Sequence, residues 1–224
     1  VPRPSRANML GSKAEPTGCI ERYEAGWNQY EDCGKCEYCL SVEKEKGKKR
    51  WVEKIGLKAF EEFYFERFEV HAQNKTAFEK CKSFDFAKDN VYIYGECGTG
   101  KSHLAYSIIK KFNVSDSEVV KQTELIRKFR GKEADEEEKL ISFYSKIPML
   151  FIDDLGVGRS TEFANQILYE IIDKRMMNYV NGLIVTSNLS LDDLSKKMDD
   201  DRLASRIVGL CEIVKISGVD RRIK

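Results

Sequence analysis

Eight consecutive residues, Gly95-Glu96-Cys97-Gly98-Thr99-Gly100-Lys101-Ser102, hold three glycines and end in an ammonium group and a hydroxyl. The spacing is G-x-x-x-x-G-K-[ST]. Glycines let the backbone curl so that successive N–H groups converge on phosphate oxygens. The lysine then reaches the β- and γ-phosphates, and the hydroxyl takes a place on Mg²⁺. The apolar run Val91–Tyr94 before the loop reads as a strand. Leu104, Ala105, Ile108, Ile109 and Phe112 after it read as one face of a helix. Such a helix adds the positive end of its dipole to the site. An incidental glycine turn needs no such flanks. The loop is therefore expected to grip a magnesium-bound triphosphate, with Gly95 to Ser102 and the adjoining His103 as its lining. Cys97 stands at a position that tolerates many side chains.

Binding is not hydrolysis, and the remaining parts come later in the chain. Met149-Leu150-Phe151-Ile152 ends in Asp153-Asp154. A buried strand delivers its last side chains to the sheet edge beside the phosphate loop. There Asp153 is expected to join Ser102 in holding Mg²⁺, and Asp154 to orient or deprotonate the attacking water. The same pair also suits a helix N-cap. Asp is shorter than the Glu that many ATPases carry there, so slow turnover is expected. Leu183–Thr186 leads to Ser187-Asn188, which puts Asn188 where it can bond the γ-phosphate and the water, although Ser-Asn-Leu-Ser is also good turn chemistry. Arg202 and Arg206 lie four apart on one helical face. Arg202 suits a pair with Asp199 or Asp200. Arg206 suits charge stabilisation on a phosphoryl group, an arginine role often supplied by a neighbouring subunit. Arg221 and Arg222 follow Ser217-Gly218-Val219-Asp220, where solvated arginines are equally ordinary.

These residues need elements to position them. A chain of 224 residues with 42% hydrophobic content can bury the core of one ordinary domain with a small appendage. No apolar run approaches the roughly 18 residues of a membrane span, and the first residues lack the apolar centre of a signal peptide. A cytoplasmic protein without membrane association is expected, and its seven cysteines fit a reducing compartment. A net charge of +1 gives no global attraction to nucleic acid. Residues 1–54 are rich in Gly, Cys and charge. Residues 55–224 form the second part, opening with an aromatic connector over 55–75. Helix is then expected over 76–84, strand over 91–94, a short strand at 119–120 and helix over 123–129. Strand follows at 149–152, helix over 163–179, and strands at 183–186 and 212–216. Alternating strands and helices imply an α/β fold, a parallel sheet with helices on both faces.

GECGTGKSHLA, LFIDDLG, IVTSNLS, RLASRI and SGVDRR occur in one order. Over roughly residues 55–224 that order resembles the bacterial replicative helicase loaders of the DnaC/DnaI type and their IstB-like transposition relatives, within the AAA+ class. The resemblance implies an AAA+ P-loop ATPase with a minimal or absent lid. Lys101 and Ser102 match Walker A, Asp153 and Asp154 match Walker B, and Asn188 matches sensor 1. Arg206 matches an arginine finger acting across a subunit boundary in a homo-oligomer, and Arg222 matches sensor 2, although Arg221 stands where the family has Tyr. It also implies ATP or ADP as ligand, a hexameric replicative helicase and single-stranded DNA as partners, and a loader's role in DNA replication. An IstB-like transposition or phage regulatory ATPase and a non-hydrolysing adaptor acting through a zinc module are the other readings. Lys121, Arg127, Lys128 and Arg130 would then lie near a central channel. The run Lys44–Arg50 with Trp51 suits single-stranded DNA by charge and stacking, or a solvated linker.

Cys33, Cys36 and Cys39 form C-x2-C-x2-C, with Cys19 upstream. Four thiolates suit a closed tetrahedral Zn²⁺. Iron–sulfur clusters use similar spacing, and small cores hold unligated cysteines. Cys81 and Cys211 fit the core. Zinc is the expectation, at about one equivalent by elemental analysis after native purification; under about half an equivalent of any metal would count against a structural site.

Overall fold

Val91–Tyr94 and residues 183–185 are runs of apolar and aromatic side chains, which suits strands covered on both faces. The computed structural model describes residues 62–112 and 117–220; Cys19, Cys33, Cys36, Cys39, the basic run and Arg222 lie outside the described residues. Five strands are present there: β1 Val91–Tyr94, β2 Ser117–Lys121, β3 Met149–Leu155, β4 Leu183–Ser187 and β5 Glu212–Lys215. All pair in parallel in the order β2-β3-β4-β1-β5. The helices are α1 Lys75–Ser83, α2 Lys101–Phe112, α3 Gln122–Phe129, α4 Ala134–Lys146, α5 Glu162–Met177, α6 Leu191–Met198 and α7 Arg202–Leu210.

The direction of travel across the sheet decides which face each helix covers. From β1 the chain crosses to the far edge at β2, then returns strand by strand to β5. Right-handed crossovers in opposite directions put their helices on opposite faces. Accordingly, Tyr92, Leu150, Ile152, Leu183 and Val185 share one core with residues of α3 to α7. Strand alternation turns Ile93, Phe151 and Ile184 the other way, toward α2, whose Tyr106 ring stands edge-on to Phe151 at 5.2 Å.

An amphipathic α2 is expected, yet Tyr106 and Ser107 are buried along with Leu104, Ala105, Ile108 and Ile109. The aromatic connector supplies the second cover. Phe63 stacks on His103 with ring centroids 4.5 Å apart, Phe68 meets the same ring edge-on, and Lys110 lies over Tyr64. His103 also bonds the Tyr64 carbonyl at 2.8 Å. It is thus a packing residue at the start of α2.

Two helices escape the sequence patterns. The acidic run 135–138 opens α4, where Asp135, Glu136 and Glu137 sit in the first turn and complement the helix dipole. The hydroxyl of Ser190 caps α6, accepting from Asp193 N–H at 3.2 Å. Turn chemistry there is helix-start chemistry. Strand β3 also runs past Ile152 through both aspartates to Leu155.

Arg175 of α5 is fully buried. Its guanidinium donates to the carbonyls of Tyr144 at 3.1 Å, Ile147 at 2.8 Å and Asn181 at 2.6 Å. It therefore clasps the end of α4 to the turns entering β3 and β4. Burial lowers its pKa to about 10, opposed by Cys211, so it stays charged at neutral pH. Arg175→Met would strand these buried carbonyls. Urea unfolding should show a loss of roughly 3 kcal/mol, at about 1 kcal/mol or more for each orphaned acceptor; an unchanged midpoint would refute the clasp.

Candidate active site

The glycine loop connects β1 to α2. Gly98 and Gly100 take φ values of +74° and +103°, which side chains rarely adopt. A Cβ on Gly100 would also stand 2.8 Å from the Phe68 ring. Thr99 donates its hydroxyl to Glu96 O at 2.9 Å and steadies the curl. Lys101 is only 6% exposed, and its ammonium donates to the carbonyls of Gly95 at 2.9 Å and Glu96 at 2.7 Å. The cation thus sits inside the curl of its own loop, at the N-terminus of α2.

Asp153 is brought to this loop by register. Val185 pairs with Ile152, and Ser187 with Leu155, so β3 spends one more residue than β4 over that stretch. This is a β-bulge at Asp153-Asp154, and bulges re-aim side chains. Asp154 adopts φ +59°, which Asp tolerates better than most residues. One oxygen of Asp153, Oδ1, accepts from Thr186 Oγ1 at 2.5 Å and from Ser102 Oγ at 3.1 Å. The Thr186 hydroxyl in turn accepts from Asp154 N–H at 3.1 Å. Three segments far apart in sequence therefore meet on one carboxylate oxygen.

Burial pushes the Asp153 carboxyl above its ordinary pKa. The Asp154 charge adds to the rise; the Thr186 and Ser102 hydroxyls and the Lys121 ammonium oppose it. Burial likewise raises the pKa of the Tyr106 phenol, helped by Asp153, Glu124 and Asp154. Beyond the bulge, Gln122 at the start of α3 accepts from Gly156 N–H at 2.5 Å and pins the exit of β3.

Sequence reasoning missed Thr186. The available signal was a polar residue in the otherwise apolar run Leu-Ile-Val-Thr, because a buried hydroxyl demands partners. Asn188 lies just past β4 and is exposed. Cys97 is exposed in the loop. Arg202 pairs with Asp200 at 2.8 Å, one of the two partners expected. Arg206 is held within its own chain, donating to Asp173 at 2.5 Å and to Tyr169 Oη at 3.4 Å. Both guanidinium groups lie over the Tyr169 ring, at 5.2 and 5.7 Å. Among the described residues no group of three His, Cys, Asp or Glu is placed to hold a metal. The Ser102 hydroxyl and Asp153 carboxylate are hard oxygen donors beside a phosphate loop, which fits Mg²⁺ shared with a substrate.

A family model described as IstB-like ATP binding protein matches residues 48–224. The chromosomal replication initiator protein DnaA of Mycoplasma pneumoniae is 27% identical over 182 residues, covering 69% of this chain and 40% of that protein. The replicative helicase loader DnaC of Escherichia coli strain K12 is 26% identical over 137 residues, covering 56% of each chain. The crystal structure of the DnaC helicase loader superposes with a TM-score of 0.59 at 21% identity, covering 71% of this chain and 99% of that one. The structural likeness concerns the fold, a P-loop sheet of the AAA+ kind. The chain spans less than two thirds of either curated relative.

The raised Asp153 pKa fixes a sign. The folded chain holds that proton more tightly than the unfolded chain, so stability is lost as pH rises from the unfolded carboxyl range through the folded pKa. Asp153→Asn removes that cost. Without nucleotide at pH 7 it should melt above the parent. The advantage should fade as pH falls toward about 4. Calorimetry across that range tests this, and a variant melting at or below the parent at pH 7 would refute it.

Proposed function

The chain belongs to the family of IstB-like ATP binding proteins, and on that premise we propose that it hydrolyses ATP to deliver a replicative DNA helicase onto single-stranded DNA. The observation that carries the hydrolytic half is the Ser102–Asp153–Thr186 set beside the phosphate loop. In this reading the loop N–H groups take the phosphates, and Lys101 moves from its carbonyls to the β- and γ-phosphates. Ser102 and Asp153 hold Mg²⁺, which when bound offsets phosphate charge. Asp154 and Asn188 orient the water that attacks the γ-phosphorus. The bond to the bridging oxygen breaks, ADP leaves, and the proton of the water passes to Asp154. Arg222 adds a cation on the phosphate side.

The loader half is supported by the likeness to E. coli DnaC, whose name gives that role. Residues 55–224 would be the ATPase part and residues 1–54 the zinc-bearing part that touches the helicase, in the cytoplasm. The IstB-like family match favours one second reading, an ATPase serving transposition or phage regulation. Co-purification with a hexameric replicative helicase from the same source, and ATP turnover measured with and without single-stranded DNA, separate the two. Recovery of a transposase instead would favour the second; zero turnover in every assembly would leave an adaptor.

In this reading Arg206 acts in trans within a homo-oligomer, so it must exchange Asp173 for a neighbour's phosphate. Arg206→Ala should lower assembled turnover by roughly 10³-fold while ATP affinity holds. Turnover equal to the parent's would remove Arg206 from the mechanism.

A further inference from the structure

Strand β5 does not end the chain's contact with the phosphate loop. Ile216 N–H donates to Tyr94 O at 2.8 Å, so the backbone after β5 continues along β1 toward the glycines. The Ile216 carbonyl lies 2.0 Å from the point a Cβ on Gly95 would occupy. The chain then bows outward: Ser217, Gly218 and Val219 are exposed. It returns at Asp220. The Asp220 Oδ1 and Cγ lie 1.7 and 2.1 Å from the Cβ position of Gly98, and Oδ2 lies 2.8 Å from it. The whole carboxylate therefore rests on the middle glycine of the loop.

Gly98 belongs to the backbone whose N–H groups gather phosphate oxygens. A nest of amides does not distinguish a carboxylate from a phosphate by sign of charge. The Asp220 carboxylate stands against the Gly98 backbone, so a triphosphate gathered by the loop N–H groups would lie beside a second anion, and each is repelled by the other. We propose that the Ser217–Asp220 segment is a strap whose Asp220 carboxylate competes with nucleotide phosphates and sets nucleotide affinity. This rests on reading residues 95–102 as the nucleotide site. It adds a determinant from the other end of the domain, and anything that draws the strap away would tighten nucleotide binding. Gly98 must stay glycine for two reasons: its φ of +74°, and the carboxylate in the space a side chain would need.

The test uses the full chain with fluorescent ADP and Mg²⁺, and with inorganic pyrophosphate as the displacing ligand. Asp220→Asn keeps the shape and removes the charge; Asp220→Ala removes both. Each should bind ADP about tenfold more tightly than the parent, the scale of one nearby unit charge in a partly wet site. Pyrophosphate, which has no base or ribose, should gain by the same factor. The strap is overturned if Asp220→Asn binds within about twofold of the parent, if only the alanine variant tightens, or if pyrophosphate does not share the gain. If neither the parent nor the variants bind ADP or pyrophosphate, the nucleotide-site reading itself falls, and the strap with it.

Discussion

A single carboxylate oxygen anchors the site. Asp153 Oδ1 receives the hydroxyls of Ser102 and Thr186 while only 3% of the residue reaches solvent. A charge so placed is costly unless hydrogen bonds hold it. The two hydroxyls oppose that cost, and they come from the helix after β1 and from β4. Satisfying Asp153 therefore requires β1, β3 and β4 to lie at one height in the sheet. The Thr186 hydroxyl does this twice over, donating to Asp153 and accepting from the Asp154 backbone. Valine has the shape but neither capacity.

The sheet order supplies that height. With β4 between β1 and β3, the carboxyl ends of all three strands open on the same edge. The reversal of direction at β1 leaves α2 on one face and α3 to α7 on the other, the circumstance in which open α/β sheets form a crevice at their carboxyl edge. The connector then fixes α2 from outside: Phe63 and Phe68 flank His103, and the Phe68 ring fills the space that a Cβ on Gly100 would need. The pose of the phosphate loop is thus set from both sides by residues that need never meet a ligand.

What the sequence disclosed divides along a physical line. The glycine loop and the paired aspartates are legible because their chemistry needs neighbouring residues on one backbone, so spacing carries the signal. The central strands β1, β3 and β4 are legible because burial on both faces leaves apolar runs, while the edge strands β2 and β5 show only the short pairs Val119-Val120 and Ile213-Val214. Thr186 is not, because its role comes from parallel register with Asp153, and register is not written in spacing. Asp220 is hidden for the same reason: it reaches Gly98 only because β5 lies beside β1. Helices α4 and α6 are obscured because acidic and hydroxyl residues that start a helix also make loops. The amphipathic reading of α2 falls short because its outer face is covered by a segment far away in sequence terms, through rings that read only as an aromatic run.

Departures from easy chemistry collect at one edge. Asp153 is a buried acid with a raised pKa, and Asp154 holds a left-handed backbone conformation inside a bulge. Gly98 carries a carboxylate where a side chain would be, and Lys101 is drawn into its own loop. At the opposite edge the balance differs. Arg175 is equally buried, yet three carbonyls receive it and it ties α4 to the entries of β3 and β4. One edge is thus built for stability and the other holds groups whose ideal partners are not protein atoms. Backbone strain and buried charge gathered at one end of a sheet are the physical signature of a site. It is also why neutralising Asp153 is expected to steady the fold: in the function proposed above, the charge that costs folding energy is the one that Mg²⁺ and a triphosphate would use.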